Sequence, residues 1–239
     1  MRTNKWIKVN QLFDNDIWDE AVCITIDIDW AHDDVLSDTI DLMEKFSVPV
    51  TWFVTHDTPL LNRLRCNPNF ELGIHPNFNK KLHENDDRSV EMILDEITSI
   101  VPNAKSVRSH SLVQSSRLLE VFKQYGIQFE CNTIIPSQSN LKLRPWMLWN
   151  GILKVPHFWE DDVSCLYGQM EDISYLLKGE GLKVFAFHPI HIFLNTEDLG
   201  RYEATSSIRH RPEELKTHRC EGYGARSALL SLLDNYDKQ

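Results

Sequence analysis

Short apolar runs alternate with amphipathic segments along most of this 239-residue chain. Several of the runs are rich in β-branched or aromatic residues, which predicts strands. They are residues 21–29, 48–55, 71–75, 106–110, 127–132, 152–158 and 182–188. Other segments place apolar residues at helical spacing, which predicts helices. They are residues 35–46, 88–101, 115–126, 169–181 and 227–236.

Strands that alternate with helices indicate a parallel sheet covered by helices. We therefore expect an α/β fold, a distorted (β/α) barrel with about seven parallel strands. The length of the chain and its lack of a linker-like segment predict a single domain over residues 1–239.

The composition narrows the range of functions. A formal net charge of -10 argues against binding of nucleic acid or of an anionic membrane by bulk electrostatics. No apolar run is long enough to span a bilayer, and the N-terminal segment lacks the apolar core of a signal peptide. The five cysteines are scattered and form no CxxC pair, so we expect buried thiols in a cytoplasmic protein.

Side chains suited to chemistry follow several of the predicted strands. Because the carboxyl ends of parallel strands meet at one edge of a sheet, we expect these side chains to form one site. They are Asp27 and Asp29, His75, Arg108 and His110, and His188.

Two carboxylates close the first predicted strand. Alternation along a strand sends Asp27 and Asp29 to the same side, where they repel each other unless a metal ion, an arginine or a histidine compensates. We interpret Asp29, His75 and Asn79 as ligands of a divalent metal, the last two related by i, i+4 spacing. Asn79 is equally typical of a turn, and His83 is an alternative ligand.

The remaining polar groups suggest proton transfer. Asp27 is our candidate general base, acting on water activated by the metal, although it could instead be a second ligand or a structural acid. Arg108 could pair with Asp27 and keep it ionised, or it could be a surface arginine. His188 is our candidate general acid, with His191 as the competitor for that role.

Aromatic residues near the strand ends suggest a sugar-binding pocket. Trp30 and Trp159 offer flat faces that stack on sugar rings, although such rings also fill cores. We assign substrate contacts to these two residues and to His110 and His191. The aromatic and acidic segment 143–162 is a candidate wall of this pocket.

Four motifs resemble those of the polysaccharide deacetylases, the NodB-homology carbohydrate esterases. They are TIDID, HPNFN, VRSHSLVQS and AFHPIH, in the order of the family, and the WbmS-like subgroup is the most similar. The resemblance implies Asp27 as base, Asp29 and His75 as metal ligands, Arg108 on the third motif and His188 as acid. Asn79 stands where most members have a second histidine, and no proline follows Arg108.

The resemblance also implies an activity. A NodB-type barrel would use a divalent metal, zinc first and nickel or cobalt otherwise, to remove an acetyl or formyl group from an amino sugar. WbmS-like members are associated with O-antigen synthesis, so a cytoplasmic protein would meet a small, nucleotide-linked or lipid-linked sugar.

Other functions remain open at this point. The same site could hydrolyse a non-sugar amide, or the protein could bind carbohydrate without catalysis, which the asparagine at position 79 would favour. A deaminase-like barrel fits less well because those sites use an HxH pair on the first strand, which this chain lacks.

Overall fold

A curled sheet forms the centre of the computed structural model, which describes residues 4–79 and 88–238. Its strands within these ranges are β1 (Lys5–Trp6), β2 (Ala21–Asp27), β3 (Val50–Val54), β4 (Phe70–Ile74), β5 (Ser106–Val107), β6 (Phe129–Glu130), β7 (Trp146–Met147), β8 (Leu153–Lys154), β9 (Trp159–Glu160) and β10 (Lys183–Phe187). The α-helices described are α1 (Asp33–Phe46), α2 (Leu61–Cys66), α3 (Val90–Ile100), α4 (Ser116–Gln124), α5 (Asp161–Leu166), α6 (Pro189–Leu194), α7 (Leu199–Ala204), α8 (Pro212–Lys216) and α9 (Ala225–Asp237).

The strands follow the order β7-β8-β6-β5-β4-β3-β2-β10-β9, with β1 beside the start of β2. All pairs are parallel except β7 with β8. The single extended segment 153–160 joins the two ends of this curled sheet, because β8 pairs with β6 whereas β9 pairs with β10. Seven parallel strand positions therefore surround the interior, which confirms the predicted distorted barrel.

Burial on both faces explains the apolar character of the central strands. Every residue of β2, β3 and β10 is buried, as expected for parallel strands with side chains on one face inside the barrel and on the other beneath helices. Helix α1 turns Leu36, Ile40 and Met43 towards this core at helical spacing. The hydrophobic pattern alone was therefore sufficient to locate these elements.

One predicted helix is wrong. Residues 169–181 contain only the 3-10 helix Ser174–Lys178. The side chain of Asp172 accepts a hydrogen bond from the Ser174 N–H at 2.8 Å, an arrangement that competes with the regular helical ladder. Gly181 has a φ of +93°, which ends any helical continuation.

Three of the five cysteines are buried as predicted. Cys23, Cys131 and Cys165 are buried free thiols, but Cys66 is exposed and Cys220 is half-buried.

Among the described residues, no helix is both long enough and apolar enough to cross a bilayer.

Candidate metal and catalytic site

The backbone ladder aligns the carboxyl ends of neighbouring strands at one edge of the barrel. The His75 N–H donates to the Val54 carbonyl at 2.8 Å, and the Arg108 N–H donates to the Ile74 carbonyl at 3.1 Å. The His110 N–H continues this pairing by donating to the Pro76 carbonyl at 3.0 Å. Residues that follow β4 and β5 are thereby held side by side, next to the end of β3.

Asp29 reaches this edge through a turn and not through strand alternation. Strand β2 ends at Asp27, and Asp29 and Trp30 have left-handed φ values of +36° and +52°. The Ala31 N–H closes the turn on the Ile28 carbonyl at 2.8 Å. Such a conformation is unfavourable for residues other than glycine, and it tends to persist where function requires it.

Asp29, His75 and His110 bring three metal-ligating atoms together. Asp29 Oδ1 lies 3.2 Å from His75 Nε2 and 3.4 Å from His110 Nδ1, and the two imidazole nitrogens are 3.4 Å apart. Asp29 Oδ1 is buried and receives no well-formed hydrogen bond within the described ranges. Burial alone would raise the pKa of Asp29, but the adjacent His110 and His75 lower it. One carboxylate and two imidazoles fit a divalent ion such as zinc.

Asn79, our predicted third ligand, is engaged elsewhere in the structure. Its side-chain amide donates to Ser111 Oγ at 2.8 Å, and its N–H donates to Asn77 Oδ1 at 2.9 Å, as in a turn. The third donor beside Asp29 and His75 in the structure is His110, for which the sequence predicts a contact with substrate. Ligation by Asn79 stays a prediction. His83, the alternative ligand, lies outside the described residues.

Asp27 and Arg108 form a buried ion pair inside the barrel. Arg108 Nη1 donates to Asp27 Oδ1 at 2.9 Å, its Nε donates to the Cys131 carbonyl at 3.3 Å, and its guanidinium lies over the Phe53 ring at 4.7 Å. The second carboxylate oxygen, Asp27 Oδ2, lies 3.7 Å from His75 Nδ1. One oxygen of Asp27 therefore binds the arginine, and the other faces the candidate metal site.

His188 is fixed by Asp161, a residue that our sequence analysis did not identify. Asp161 Oδ1 accepts a hydrogen bond from His188 Nδ1 at 2.7 Å, and its Oδ2 accepts one from the His188 N–H at 2.8 Å. His188 Nε2 then points at the site, 3.8 Å from Asp29 Oδ2 and 3.9 Å from Asp27 Oδ2. Burial alone would lower the pKa of His188, but the neighbouring carboxylates, Asp161 first, hold it well above its usual value.

A cavity of about 720 Å³ opens beside these groups. Its walls include Asp29, Trp30, His110, His188 and His191. Trp30 is 48% exposed, packs its edge against the His110 ring at 5.1 Å, and also lines a second cavity of about 610 Å³. An exposed indole between two cavities is well placed to contact a sugar ring.

Trp159 and His191 differ in their positions relative to this cavity. Trp159 is buried on β9 and packs against Phe185 and Phe187 in the core. It is not among the described residues that line this cavity. His191 lies on α6, lines the cavity and contacts the His188 ring.

The comparisons with known proteins agree with this architecture. A sequence model of the WbmS-like polysaccharide deacetylases matches residues 24–206, so the chain belongs to that family. No curated protein matches the chain.

The solved structures that are similar to this one include two proteins described as polysaccharide deacetylases. A Bordetella bronchiseptica protein, WbmS, described as a polysaccharide deacetylase involved in O-antigen biosynthesis, is 41% identical with a TM-score of 0.92, and the match covers 96% of this chain and 98% of that one. A polysaccharide deacetylase from Mycobacterium smegmatis is 14% identical with a TM-score of 0.50, covering 91% and 90%, and this likeness concerns the fold alone.

Proposed function

We propose that this protein is a metal-dependent hydrolase that removes an N-acyl group, acetyl or formyl, from an amino sugar. The observation that carries the proposal is the convergence of three kinds of group at one edge of the barrel. They are a metal-donor set (Asp29, His75 and His110), a carboxylate paired with a buried arginine (Asp27 with Arg108), and an imidazole held by a carboxylate (His188 with Asp161).

The donor set accounts for the metal requirement. Asp29, His75 and His110 would hold a divalent ion, for which zinc is our first choice and nickel or cobalt the alternatives. A divalent ion there supplies Lewis acidity towards the amide carbonyl and lowers the pKa of a water molecule. Because amides are poor electrophiles, polarisation of the carbonyl by a metal ion is well suited to hydrolysis of an amide C–N bond.

Asp27 is positioned to act as the base. Its Oδ2 faces the site, whereas its Oδ1 accepts a hydrogen bond from the buried Arg108, which holds the carboxylate in this orientation. An ionised carboxylate next to the attacking water takes its proton. Arg108 thus has an indirect role, since it binds the base and not the substrate.

His188 is positioned to act as the acid. Because Asp161 accepts the Nδ1 hydrogen bond, Nε2 is the ring nitrogen that faces the cavity. A protonated Nε2 can donate to the departing amine and prevent its return. The acid and the base belong to different strand ends, so each can be tested separately.

The proposed substrate is an amino sugar of a surface polysaccharide, carried by a nucleotide or a lipid. The family membership and the 41% identical WbmS structure support a surface-polysaccharide sugar as the substrate. Trp30 and the cavity of about 720 Å³ offer a wall and space for such a sugar.

Metal analysis combined with product detection tests the proposal. Purified protein is stripped with a chelator, reloaded separately with zinc, nickel or cobalt, and assayed for acetate or formate released from acylated nucleotide sugars. We expect stoichiometric metal, activity that returns on reloading, and loss of both in Asp29→Ala. A protein that binds sugar but neither retains metal nor releases acid would be a carbohydrate-binding protein, and the proposed hydrolysis would be rejected.

A further inference from the structure

Arg209 lies in the wall of the same cavity and has no role in the proposed chemistry. Among the described residues it forms no ion pair with a carboxylate, whereas nearby Arg201 pairs with Glu197 at 2.5 Å and Arg211 pairs with Glu214 at 2.6 Å. An arginine without a carboxylate at a cavity wall is available to bind an anion.

The guanidinium of Arg209 is held in place before any ligand binds. It stacks on the Tyr202 ring at 3.6 Å, and its Nη2 donates to the Tyr202 carbonyl at 2.9 Å. Its Nε is buried and has no hydrogen-bond partner within the described ranges. The preceding residue, Ile208, is buried against Phe193 and Leu194, which anchors the segment. Little ordering entropy is therefore lost when an anion binds.

Ring contacts connect Arg209 to the catalytic groups. The His191 ring lies 5.7 Å from the His188 ring and 4.8 Å from the Tyr202 ring, on which Arg209 stacks. His191 is buried and lines the cavity, and burial, together with the charges of His188 and Arg209, lowers its pKa. The cavity wall is thus continuous from His188 to Arg209.

Histidines, carboxylates and one arginine line this cavity. The imidazoles of His32 and His210 line it in addition to those near the metal site. Two carboxylates besides Asp29 also line it. Glu203 is exposed, and burial raises the pKa of Asp162 to about 6. Among the described residues that line this cavity, Arg209 is the one whose side chain carries a permanent positive charge.

We propose that Arg209, with His191 and His210 beside it, binds a negatively charged group on the substrate while the N-acyl group lies at Asp29. This anionic group is a phosphate ester or a sugar carboxylate, both of which accept paired hydrogen bonds from a guanidinium. A chain of net charge -10 repels anions at long range, so a local cation is needed to hold one. The assignment to a substrate group rests on the proposed hydrolysis, whereas the anion site itself does not.

Matched substrates and matched variants test the proposal. The substrates are an N-acetylated amino sugar as its neutral methyl glycoside, as its 1-phosphate and as its uronic acid. The variants are Arg209→Gln and the control Arg211→Gln, which removes an equal charge two positions away on an exposed side chain. We expect Arg209→Gln to reduce kcat/KM for at least one anionic substrate about tenfold or more, mainly through KM, and to leave the neutral substrate within about twofold.

Comparison of the two anionic substrates shows whether the site binds a phosphate group or the carboxylate of an acidic sugar. Loss confined to the 1-phosphate indicates a phosphate-carrying substrate, and loss confined to the uronic acid indicates an acidic sugar. Equal loss on charged and neutral substrates, no loss on any of them, or equal loss in Arg211→Gln would overturn the proposal. Arg209→Lys should restore only part of the activity, because a lysine keeps the charge but not the planar fork.

A direct binding measurement separates this proposal from the proposed hydrolysis. Calorimetric titration of wild-type protein with pyrophosphate and with galacturonate needs no turnover. Binding that weakens in Arg209→Gln but not in Arg211→Gln supports the anion site even if no substrate is hydrolysed, in which case only the proposed reaction fails. Hydrolysis without anion binding, or anion binding unchanged in Arg209→Gln, rejects the anion site alone.

Discussion

Asp161 holds His188 by two hydrogen bonds, one to the backbone and one to the ring. Its Oδ2 accepts from the His188 N–H at 2.8 Å, and its Oδ1 accepts from Nδ1 at 2.7 Å. The two residues lie at adjacent strand ends, since Asp161 follows β9 and His188 follows β10. A single buried carboxylate therefore sets both the position and the ring orientation of the proposed acid.

Replacing Asp161 by asparagine keeps the shape of the side chain but removes its charge. We expect kcat to fall by about a hundredfold, with KM and metal content little changed, because the defect lies in the acid and not in binding. Loss of the negative charge also lowers the pKa of His188, so the basic limb of the kcat profile should move to lower pH. Steady-state kinetics over a pH series measures both effects.

This prediction for Asp161→Asn has a clear contrary result. A variant with the wild-type pH profile and only a lower melting temperature would show that Asp161 is purely structural. The double variant Asp161→Asn/His188→Ala should lose little more activity than His188→Ala alone if both residues act on the same step, since effects within one unit are not additive.

Asp27→Asn should retain the metal and lose turnover. An amide cannot accept the proton that the carboxylate accepts, so we expect kcat to fall by about a hundredfold or more, whereas His75→Ala should lose metal as well. Elemental analysis of both variants beside the activity assay distinguishes these outcomes. Near-full activity in Asp27→Asn would show that the assigned base is wrong.

Asp27→Asn should also destabilise the protein, because Arg108 is fully buried and would keep its charge without a carboxylate. We expect a loss of about 2 kcal/mol or more in the free energy of unfolding, measured by urea titration. Asp19→Asn is the control, since Asp19 pairs at the surface with Arg144 at 2.7 Å and with Lys142 at 2.8 Å, where solvent screens the charges, so its loss should cost less than that of Asp27. Equal effects of the two variants would contradict the buried-pair argument.

His110 and Asn79 are competing third ligands, and their alanine variants separate them. The structure places His110 Nδ1 at 3.4 Å from Asp29 Oδ1, whereas the Asn79 side chain donates to Ser111. We expect His110→Ala to weaken zinc binding at least about tenfold and Asn79→Ala to weaken it much less. Competition with a chromogenic chelator gives both affinities. The reverse order would restore Asn79 as the ligand that its i, i+4 spacing from His75 suggests.

The sequence was most informative about the site where a titratable residue directly follows a predicted strand. Asp27, His75 and His188 each follow an apolar run, and all three meet in the structure. Asp161 was missed because it belongs to an acidic run after an inconspicuous two-residue strand, although the same strand-end rule would have found it.

Sequence patterns are less informative where long-range contacts or local hydrogen bonds decide the structure. No spacing rule relates His110 to Asp29, since their approach depends on the pairing of β4 with β5 and on the left-handed turn at Asp29. Helical periodicity over 169–181 was overridden by the Asp172 side chain, which bonds the backbone locally. In both cases the residue types indicate a local preference, but tertiary or local contacts determine the conformation.

Gly73 provides a test of the barrel packing that is separate from catalysis. A Cβ at this position in β4 would lie 2.8 Å from the Ser106 carbonyl oxygen and 2.9 Å from the Phe53 ring. Neither neighbour can move freely, because Ser106 belongs to β5 and Phe53 lies beneath the Arg108 guanidinium. We expect Gly73→Ala to lower the free energy of unfolding by about 1–3 kcal/mol in urea titration.

A surface glycine gives the matched comparison for Gly73→Ala. A Cβ at Gly222 would make an ordinary contact with Cys220 Sγ at 3.6 Å, so Gly222→Ala should leave stability within about 0.5 kcal/mol of wild type. Because Phe53 also supports Arg108, Gly73→Ala should reduce activity together with stability, whereas Gly222→Ala should change neither. A fully stable Gly73→Ala variant would mean that β3, β4 and β5 are packed less closely than the structure shows.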